Sequence, residues 1–146
     1  MRDYTKIDAW RLADDLTVAI YERTRNFPKE ELYGLTSQLR RASYSVSANI
    51  VEGATRDSKK DYLHFLYIAR GSLSETQYFI HLAARLRYFS AEEAEGLHVQ
   101  TKSAFACLHG LIRAVERETG KFARGAAGLT SFMALAIMHW SVVRGQ

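Results

Sequence analysis

The chain has 146 residues, of which 47% are apolar and 25% are charged, values ordinary for one globular domain with a packed core. Its formal net charge is +4, but residues 1–120 carry 17 basic and 16 acidic side chains, so the positive charge does not by itself indicate a basic face. A single cysteine excludes an intrachain disulfide, and the N-terminus has no apolar signal core. Together these features predict a cytoplasmic location.

Two amphipathic helices are predicted in the first third of the chain, because apolar residues recur there three and four positions apart. The first helix ends before Pro28. Its stripe consists of Ala9, Leu12, Ala13, Leu16, Ala19 and Ile20. The stripe of the second helix, which we expect to end at Gly53, consists of Leu32, Leu35, Leu39, Ala42, Val46 and Ile50.

Two further helices follow, and both alternate steps of three and four. The third stripe is Tyr62, Leu66, Ala69, Leu73, Thr76, Ile80 and Ala83, and the fourth is Ala94, Leu97, Thr101, Ala104, Leu108, Leu111 and Val115. Ser58 with Asp61 and Ser90 with Glu93 have the spacing of capping boxes. Because short loops make long sequential helices antiparallel, residues 1–120 are predicted to form an all-α, up-down-up-down four-helix bundle.

Residues 121–146 are predicted to add a glycine-containing linker and an extra short apolar C-terminal helix. The run 129–143 has 15 residues, fewer than the ~20 that span a bilayer, and it lacks the cationic face of helices that lie on membranes. We therefore expect no membrane contact. An exposed helix this apolar would aggregate, so we predict that it docks on its own bundle or on a neighbouring subunit.

The third helix carries a second, imperfect apolar stripe, interrupted by Ser72 and Glu75. Its members are Leu63, Phe65, Ile68, Phe79, Leu82 and Leu86. One interpretation is a wide core face covered by two neighbouring helices. The other is a subunit interface, which the extent of the apolar surface favours. The predicted interface residues are Leu63, Phe65, Phe79 and Leu82.

The sequence shows no set of polar side chains whose spacing would bring them together in a catalytic site. No two of the five histidines lie three or four residues apart, and the chain has neither a Glu-x-x-His motif nor a glycine-rich phosphate loop. Adjacent carboxylates on a helix point about 100° apart and share no site. Cys107 is better explained as a small core residue than as a nucleophile. The sequence therefore predicts no catalytic residue, no metal, no cofactor and no enzymatic activity.

Basic side chains concentrate between residues 40 and 70, where six cations stand against three acids. The candidate nucleic-acid-binding residues are Arg40, Arg41, Arg56, Lys59 and Lys60. Paired cations close to a loop are suited to contacting phosphates. The alternative is an ordinary solvated face.

The second helix also carries a recognisable motif. Residues 35–42 read Leu-Thr-Ser-Gln-Leu-Arg-Arg-Ala and residues 47–53 read Ser-Ala-Asn-Ile-Val-Glu-Gly. This combination resembles the signature of the "four helix bundle protein" family, also called 23S rRNA intervening-sequence or S23 proteins. Segments 8–13, 27–31, 58–62 and 69–75 look like the opening, first turn and third helix of that family. The resemblance covers roughly residues 3–117.

The resemblance implies a homopentamer of bundles around a central axis. It also implies a non-enzymatic role, because no enzymatic activity is established for the family. Some members are encoded within insertions of large-subunit ribosomal RNA genes, and a related branch binds nucleic acid and a reverse transcriptase in diversity-generating retroelements. The expected partners are therefore further copies of the chain, RNA or DNA, and a reverse transcriptase or other protein. Two hypotheses stay open: a nucleic-acid-binding oligomer, or a protein-interaction scaffold with little nucleic-acid affinity of its own.

The signature also implies roles for three residues of the second helix. We expect Asn49 to bond across helices, Glu52 to pair with a cation such as Arg41, and Gly53 to let the chain leave the helix. Ser47 replaces a proline that is common in the family, which softens any kink expected there. The tail beyond residue 118 lies outside the signature.

Overall fold

Four α-helices make up most of the backbone, which the computed structural model describes for residues 2–143, with side chains described for residues 2–120. Their bounds are α1 Asp8–Arg23, α2 Leu35–Thr55, α3 Lys59–Arg85 and α4 Ala91–Val143. Three short 3-10 helices, at Tyr4–Lys6, Thr24–Asn26 and Lys29–Glu31, flank α1 or precede α2. No β-strand occurs within residues 2–143. The predicted all-α class is confirmed.

The four helices form a closed ring. Each packs against the helix before and after it in sequence, and α1 also packs against α4, while the contact between α2 and α3 is the most extensive. Contacts across the ring fix the antiparallel order: the Arg2 N–H donates to the Ala54 carbonyl at 3.0 Å, and Lys59 pairs with Glu118 at 2.9 Å. The structure is therefore the bundle that the heptad spacing predicts.

The predicted stripes supply the core, and the largest fully buried side chains lie on all four helices. The third stripe is buried along its whole length, from Tyr62 to Ala83. One member of the fourth stripe differs from the prediction. Ile112 is buried in the core, whereas the predicted Leu111 is only partly buried. The predicted stripe resumes at Val115, which is buried, so the difference is confined to one turn.

The start of α2 corrects one prediction. Leu32, assigned to the core stripe, lies before the helix and is 52% exposed. α2 begins at Leu35, whose N–H donates to the Glu31 side chain at 2.8 Å, so a side chain four residues back satisfies one of the unpaired N–H groups of the first turn. The segment before α2 instead reverses the direction of the chain after α1.

The predicted caps of α3 and α4 are present. The Ser58 hydroxyl accepts from the Asp61 N–H at 3.2 Å. At the start of α4 the box is reciprocal, since Ser90 accepts from the Glu93 N–H at 3.1 Å and Glu93 accepts from the Ser90 N–H at 2.8 Å. α3 ends with Arg87 at a φ of 61°, the left-handed position that closes many helices and that glycine normally occupies.

Gly53 has a different role from the predicted one. α2 continues beyond it to Thr55, and its φ is not positive, so Gly53 does not end the helix. A Cβ at this position would lie 2.9 Å from the Phe65 Cβ and 3.0 Å from Tyr62 Cδ2. The missing side chain therefore allows α2 to approach α3 closely, which is a packing role.

The C-terminal tail is only partly described. The backbone of α4 continues as helix through Gly120, Gly125 and Gly128 to Val143, where the sequence pattern predicts a linker followed by a separate helix. The side chains from residue 121 onward lie outside the described residues. The docking of 129–143, and the division at residue 120, stay predictions.

The up-and-down order gives the bundle two ends, which differ in their chemistry. The α1–α2 end contains residues 23–41 together with the end of α3 and the start of α4, residues 85–95. The α2–α3 end contains residues 2–11, 52–61 and 113–120. The predicted nucleic-acid-binding residues are divided between these two ends.

Candidate nucleic-acid interface

The structure does not bring the five predicted basic residues together. Arg40 and Arg41 lie in the second turn of α2, at the α1–α2 end, whereas Arg56, Lys59 and Lys60 lie where α2 passes to α3. At 1.5 Å per helical residue the two groups are roughly 20 Å apart along α2. They therefore form two separate surfaces.

Arg40 is held in place by α1. Its Nε donates to the Thr24 hydroxyl at 2.8 Å, and one terminal nitrogen donates to the Tyr21 carbonyl at 3.5 Å. The guanidinium carbon lies 4.7 Å from the centroid of the Tyr21 ring, a distance typical of a cation–π contact. No carboxylate neutralises Arg40 within the described residues.

Arg41 is exposed, and its guanidinium donates a long hydrogen bond of 3.4 Å to the Gln38 side chain. The predicted partner, Glu52, is eleven residues away on the same helix, which is about 16 Å along the axis. Glu52 pairs instead with Arg56, four residues on, the spacing at which helical side chains meet. The predicted Arg41–Glu52 pair is therefore wrong.

At the α2–α3 end two of the three predicted cations are engaged. Arg56 pairs with Glu52 and its guanidinium carbon lies 4.9 Å from the centroid of the Phe65 ring. Lys59 pairs with Glu118 of α4 at 2.9 Å. Lys60 is exposed and pairs with no carboxylate among residues 2–120. A phosphate that bound Arg56 or Lys59 would first have to displace a carboxylate.

This difference holds for the two ends as a whole. All four salt bridges among the described side chains lie at the α2–α3 end, and the other two join Lys6 to Asp3 and Arg11 to Asp8. The described cations of the α1–α2 end are in no salt bridge; they are Arg23, Arg25, Lys29, Arg40, Arg41, Arg85 and Arg87. Their charges are available to an external anion.

Arg25 and Lys29 are site residues that the sequence pattern did not predict. Both are exposed, and neither side chain has a hydrogen-bond or ion-pair partner in the described part of the chain. They flank Pro28 in the segment that turns back from α1 towards Arg40, and all three cations line one cleft. The available signal was the placement of two cations beside the only proline, which marks a turn.

The prediction that Asn49 bonds across helices is wrong, although Asn49 belongs to a polar chain that does cross. Its amide donates to the Ser45 carbonyl at 2.7 Å and to the Ser45 hydroxyl at 3.1 Å, within α2. The contact across helices is made by Ser45, whose hydroxyl lies 3.0 Å from that of Ser72 in α3. This polar chain joins the two helices with the most extensive contact.

The groups with nucleophilic or metal-binding potential do not converge. No cluster of three or more metal-ligating side chains occurs in the part of the chain whose side chains the structure describes. Cys107 packs against the core from α4. Burial, assisted by the Asp8 carboxylate, raises the pKa of the Cys107 thiol. A thiol with a raised pKa is less often the reactive thiolate.

The four predicted interface residues are all half-buried within the single chain. Leu63, Phe79 and Leu82 pack against the core cluster, and the Phe65 side chain contacts the α2 backbone at Gly53. Two other members of the second stripe remain exposed, Ile68 at 39% and Leu86 at 46%. Neighbouring helices therefore cover part of the stripe, and its outer edge is left uncovered in one chain.

Together the closed ring of helices, the matched caps and the buried stripes define an antiparallel four-helix-bundle protein. A family model described as "23S rRNA-intervening sequence protein" matches residues 5–110, which is most of the chain and includes the α2 signature. The chain belongs to this family.

A solved structure supports the same fold. It is described as a protein of unknown function from the S23 ribosomal protein family of Bacteroides thetaiotaomicron VPI-5482. It is 23% identical to this chain, with a TM-score of 0.66, and the match covers 72% of this chain and 95% of the other. No curated protein matches the chain. Among the described helices, none is long and apolar enough to cross a membrane.

Proposed function

We propose that this chain is a non-enzymatic, self-associating helical bundle that binds RNA or DNA through the unpaired cations of its α1–α2 end. The supporting observation is the distribution of salt bridges. Cations at that end have no carboxylate partner in the described residues, whereas four of the eight cations of the α2–α3 end are paired. A cation without an ion-pair partner can contact a phosphate without losing an existing interaction, and each phosphate contact releases a counterion.

Self-association supplies the affinity that a few cations lack. One chain carries only +4, but five copies in a closed ring would present the same basic surface five times. Several weak contacts to one strand then act together. The exposed edge of the α3 stripe, at Ile68 and Leu86, is the surface on which we place the contact between copies.

The binding test compares two charge-removal variants on RNA and DNA at several salt concentrations. Arg25→Ala/Lys29→Ala/Arg41→Ala removes three cations from the α1–α2 end, and Arg56→Ala/Lys59→Ala/Lys60→Ala removes three from the other end. We expect the first to weaken binding about equally for all sequences. It should also reduce the salt slope by roughly one for each phosphate that the variant no longer neutralises. The second should change binding much less.

Two results would contradict this assignment. If the two variants lose the same affinity, the position of the salt bridges does not determine where nucleic acid binds. If the unmodified protein binds neither RNA nor DNA in a salt-dependent way, the nucleic-acid-binding hypothesis is wrong and the protein-scaffold hypothesis takes its place. Capture of a defined partner, such as a reverse transcriptase, would then be the measurement to make.

The assembly test uses exposed positions, so that folding is retained. We expect sedimentation of the unmodified protein to give about five chains, and Ile68→Lys/Leu86→Lys to lower that mass. Val18→Lys/Val99→Lys is the matched control, since those residues are 52% and 53% exposed on α1 and α4. A monomeric unmodified protein, or an equal mass loss in both variants, would show that the α3 edge is not the interface.

A further inference from the structure

A cleft of about 330 Å³ opens at the α1–α2 end, between the segment that leaves α1 and the first turns of α2. Its volume lies at the lower limit of small-molecule sites, about 300–1,000 Å³. Three of its lining residues are the cations Arg25, Lys29 and Arg40, and none of the described residues that line it is acidic. A cavity whose only charged groups are cations favours an anionic ligand.

The charge at the back of the cleft is already positioned. The Thr24 hydroxyl accepts from Arg40 Nε at 2.8 Å and lies 3.3 Å from the Tyr21 carbonyl, to which it donates. Thr24 is only 2% exposed, so the acceptor of this bond is buried. The second terminal nitrogen of Arg40 has no partner among the described residues. A guanidinium fixed in this way loses little conformational freedom when it binds an anion.

A second polar group in the cleft has no partner. Thr36 lines the cleft and is 3% exposed, and its hydroxyl makes no hydrogen bond within the described residues. A buried polar group without a partner destabilises the folded state. Threonine in a helix occupies two χ1 rotamers, so a rotation of the side chain exchanges its methyl group and its hydroxyl. An anion in the cleft would give that hydroxyl an acceptor.

The cleft also has an apolar part. Phe27, Pro28 and Leu32 line it, and Leu32 is 52% exposed. Neither of the two carboxylates of this segment lines the cleft. Glu30 is exposed, and the Glu31 oxygens accept from the Leu35 N–H at 2.8 Å and from the Tyr88 hydroxyl at 3.2 Å. The cleft therefore offers both cations and an apolar surface to a ligand.

We propose that this cleft binds a nucleoside monophosphate, either as a free nucleotide or as the terminal nucleotide of a strand. The phosphate lies between Arg25, Lys29 and Arg40, with the Thr36 hydroxyl donating to one of its oxygens. The base or sugar lies against the apolar wall formed by Phe27 and Leu32. Such a site recognises one nucleotide, and it does not require the binding of long nucleic acids proposed above.

The test is calorimetric titration of the full-length protein with AMP and UMP, alongside inorganic phosphate and adenosine. We expect both nucleotides to bind, and phosphate or adenosine alone to bind at least tenfold more weakly. Arg25→Ala/Lys29→Ala should raise the nucleotide Kd tenfold or more. Arg85→Ala/Arg87→Ala, which removes two cations from the same end but outside the cleft, should leave the Kd within about twofold.

Thr36→Val tests the cleft without changing charge. We expect a nucleotide Kd that is weaker by roughly tenfold or more, the size of one hydrogen bond to a charged group, and a melting temperature that is unchanged or higher because an unsatisfied hydroxyl is removed. No nucleotide binding at millimolar concentration, equal loss in the Arg85/Arg87 control, or phosphate binding as tightly as AMP would overturn the proposal.

Two matched oligonucleotides, with and without a 5′ phosphate, identify the source of the nucleotide. A 5′ phosphate that tightens binding of the strand by tenfold or more supports a strand end, and AMP binding with no effect of the 5′ phosphate supports a free nucleotide. Thr36→Val should not alter the salt-dependent binding of long RNA. RNA binding without nucleotide binding would therefore overturn the cleft proposal alone, and nucleotide binding without RNA binding would overturn only the nucleic-acid function.

Discussion

The two ends of the bundle are stabilised by different interactions. At the α2–α3 end, charged side chains pair with one another and α2 approaches α3 through Gly53. At the α1–α2 end an aromatic cluster closes the bundle: the Phe27 ring centroid lies 4.9 Å from that of Phe89 and 5.4 Å from that of Tyr88. Apolar packing therefore closes the α1–α2 end without an ion pair among the described residues.

The difference between the ends has a general consequence for reading charge from a sequence. Residues 1–120 carry nearly equal numbers of basic and acidic side chains, and this balance conceals the difference. Exposed ion pairs contribute only about 0–1 kcal/mol each, so the pairs at the α2–α3 end matter less for folding than for removing cations from the available surface. Pairing, rather than charge count, distinguishes the two ends.

The largest expected effect concerns the aromatic cluster. Phe27 is 8% exposed, and Phe27→Ala should lower the free energy of unfolding by about 3 kcal/mol, since it removes a buried ring and leaves a cavity. Urea unfolding measures the change. Phe65→Ala, at the α2–α3 end, is the comparison; that ring is only partly buried, so we expect a smaller loss. Equal losses of unfolding free energy in the two variants would contradict the proposed difference between the ends.

The next effect tests the close approach of α2 and α3. Gly53→Ala should lower the free energy of unfolding by about 1–2 kcal/mol, because contacts of 2.9 and 3.0 Å outweigh the better helix propensity of alanine. Gly110→Ala is the matched control. Nothing lies within 4 Å of a Cβ at Gly110, so that change should stabilise the protein by about 0.5–1 kcal/mol. A stabilising Gly53→Ala would mean that the helices separate easily.

A stabilising change is expected at the end of α3. Arg87 has a φ of 61°, which costs an L-residue about 1–2 kcal/mol, and Arg87→Gly should recover roughly 1 kcal/mol in thermal unfolding. Arg85→Gly, inside α3, should instead destabilise by about 0.5–1 kcal/mol. If Arg87→Gly is destabilising, the arginine side chain makes a stabilising contact that outweighs the backbone strain.

The smallest effect concerns the exposed ion pairs. Lys59→Ala should lower stability by less than about 1 kcal/mol at low salt, and the difference should largely disappear in 1 M NaCl, where charges are screened beyond about 3 Å. Arg25→Ala should have no measurable effect at either salt concentration, since its side chain has no ion-pair partner in the described residues. A salt-dependent loss in Arg25→Ala would show an ion pair at the α1–α2 end.

Sequence periodicity predicted the helices and most of the core because burial of an apolar stripe depends on local spacing. The caps at Ser58 and Ser90 were predictable for the same reason, since a capping box needs residues only three apart. The spacing pattern failed at Leu32, where the chain turns before α2 begins. It failed again at Gly53, because a close helix contact and a helix end both favour glycine.

The candidate site was less predictable from sequence. Arg40 and Arg41 were identified from the motif, but Arg25 and Lys29 were not, since the turn at Pro28 decides that they lie beside Arg40. The pairing of Glu52 with Arg56 rather than Arg41 was predictable from spacing, because residues four apart meet on a helix and residues eleven apart do not.

The sequence by itself determined the helical class, the four buried stripes, the caps and the family signature, because each depends on residues within one or two helical turns. Three of the four ion pairs also join residues three or four apart. Only the tertiary structure decided that Glu118 neutralises Lys59 and which cations line the cleft, because those facts depend on side chains brought together from different elements. Lys59 meets Glu118 across 59 positions of sequence, and Arg40 meets Thr24 across 16. No local pattern records such contacts.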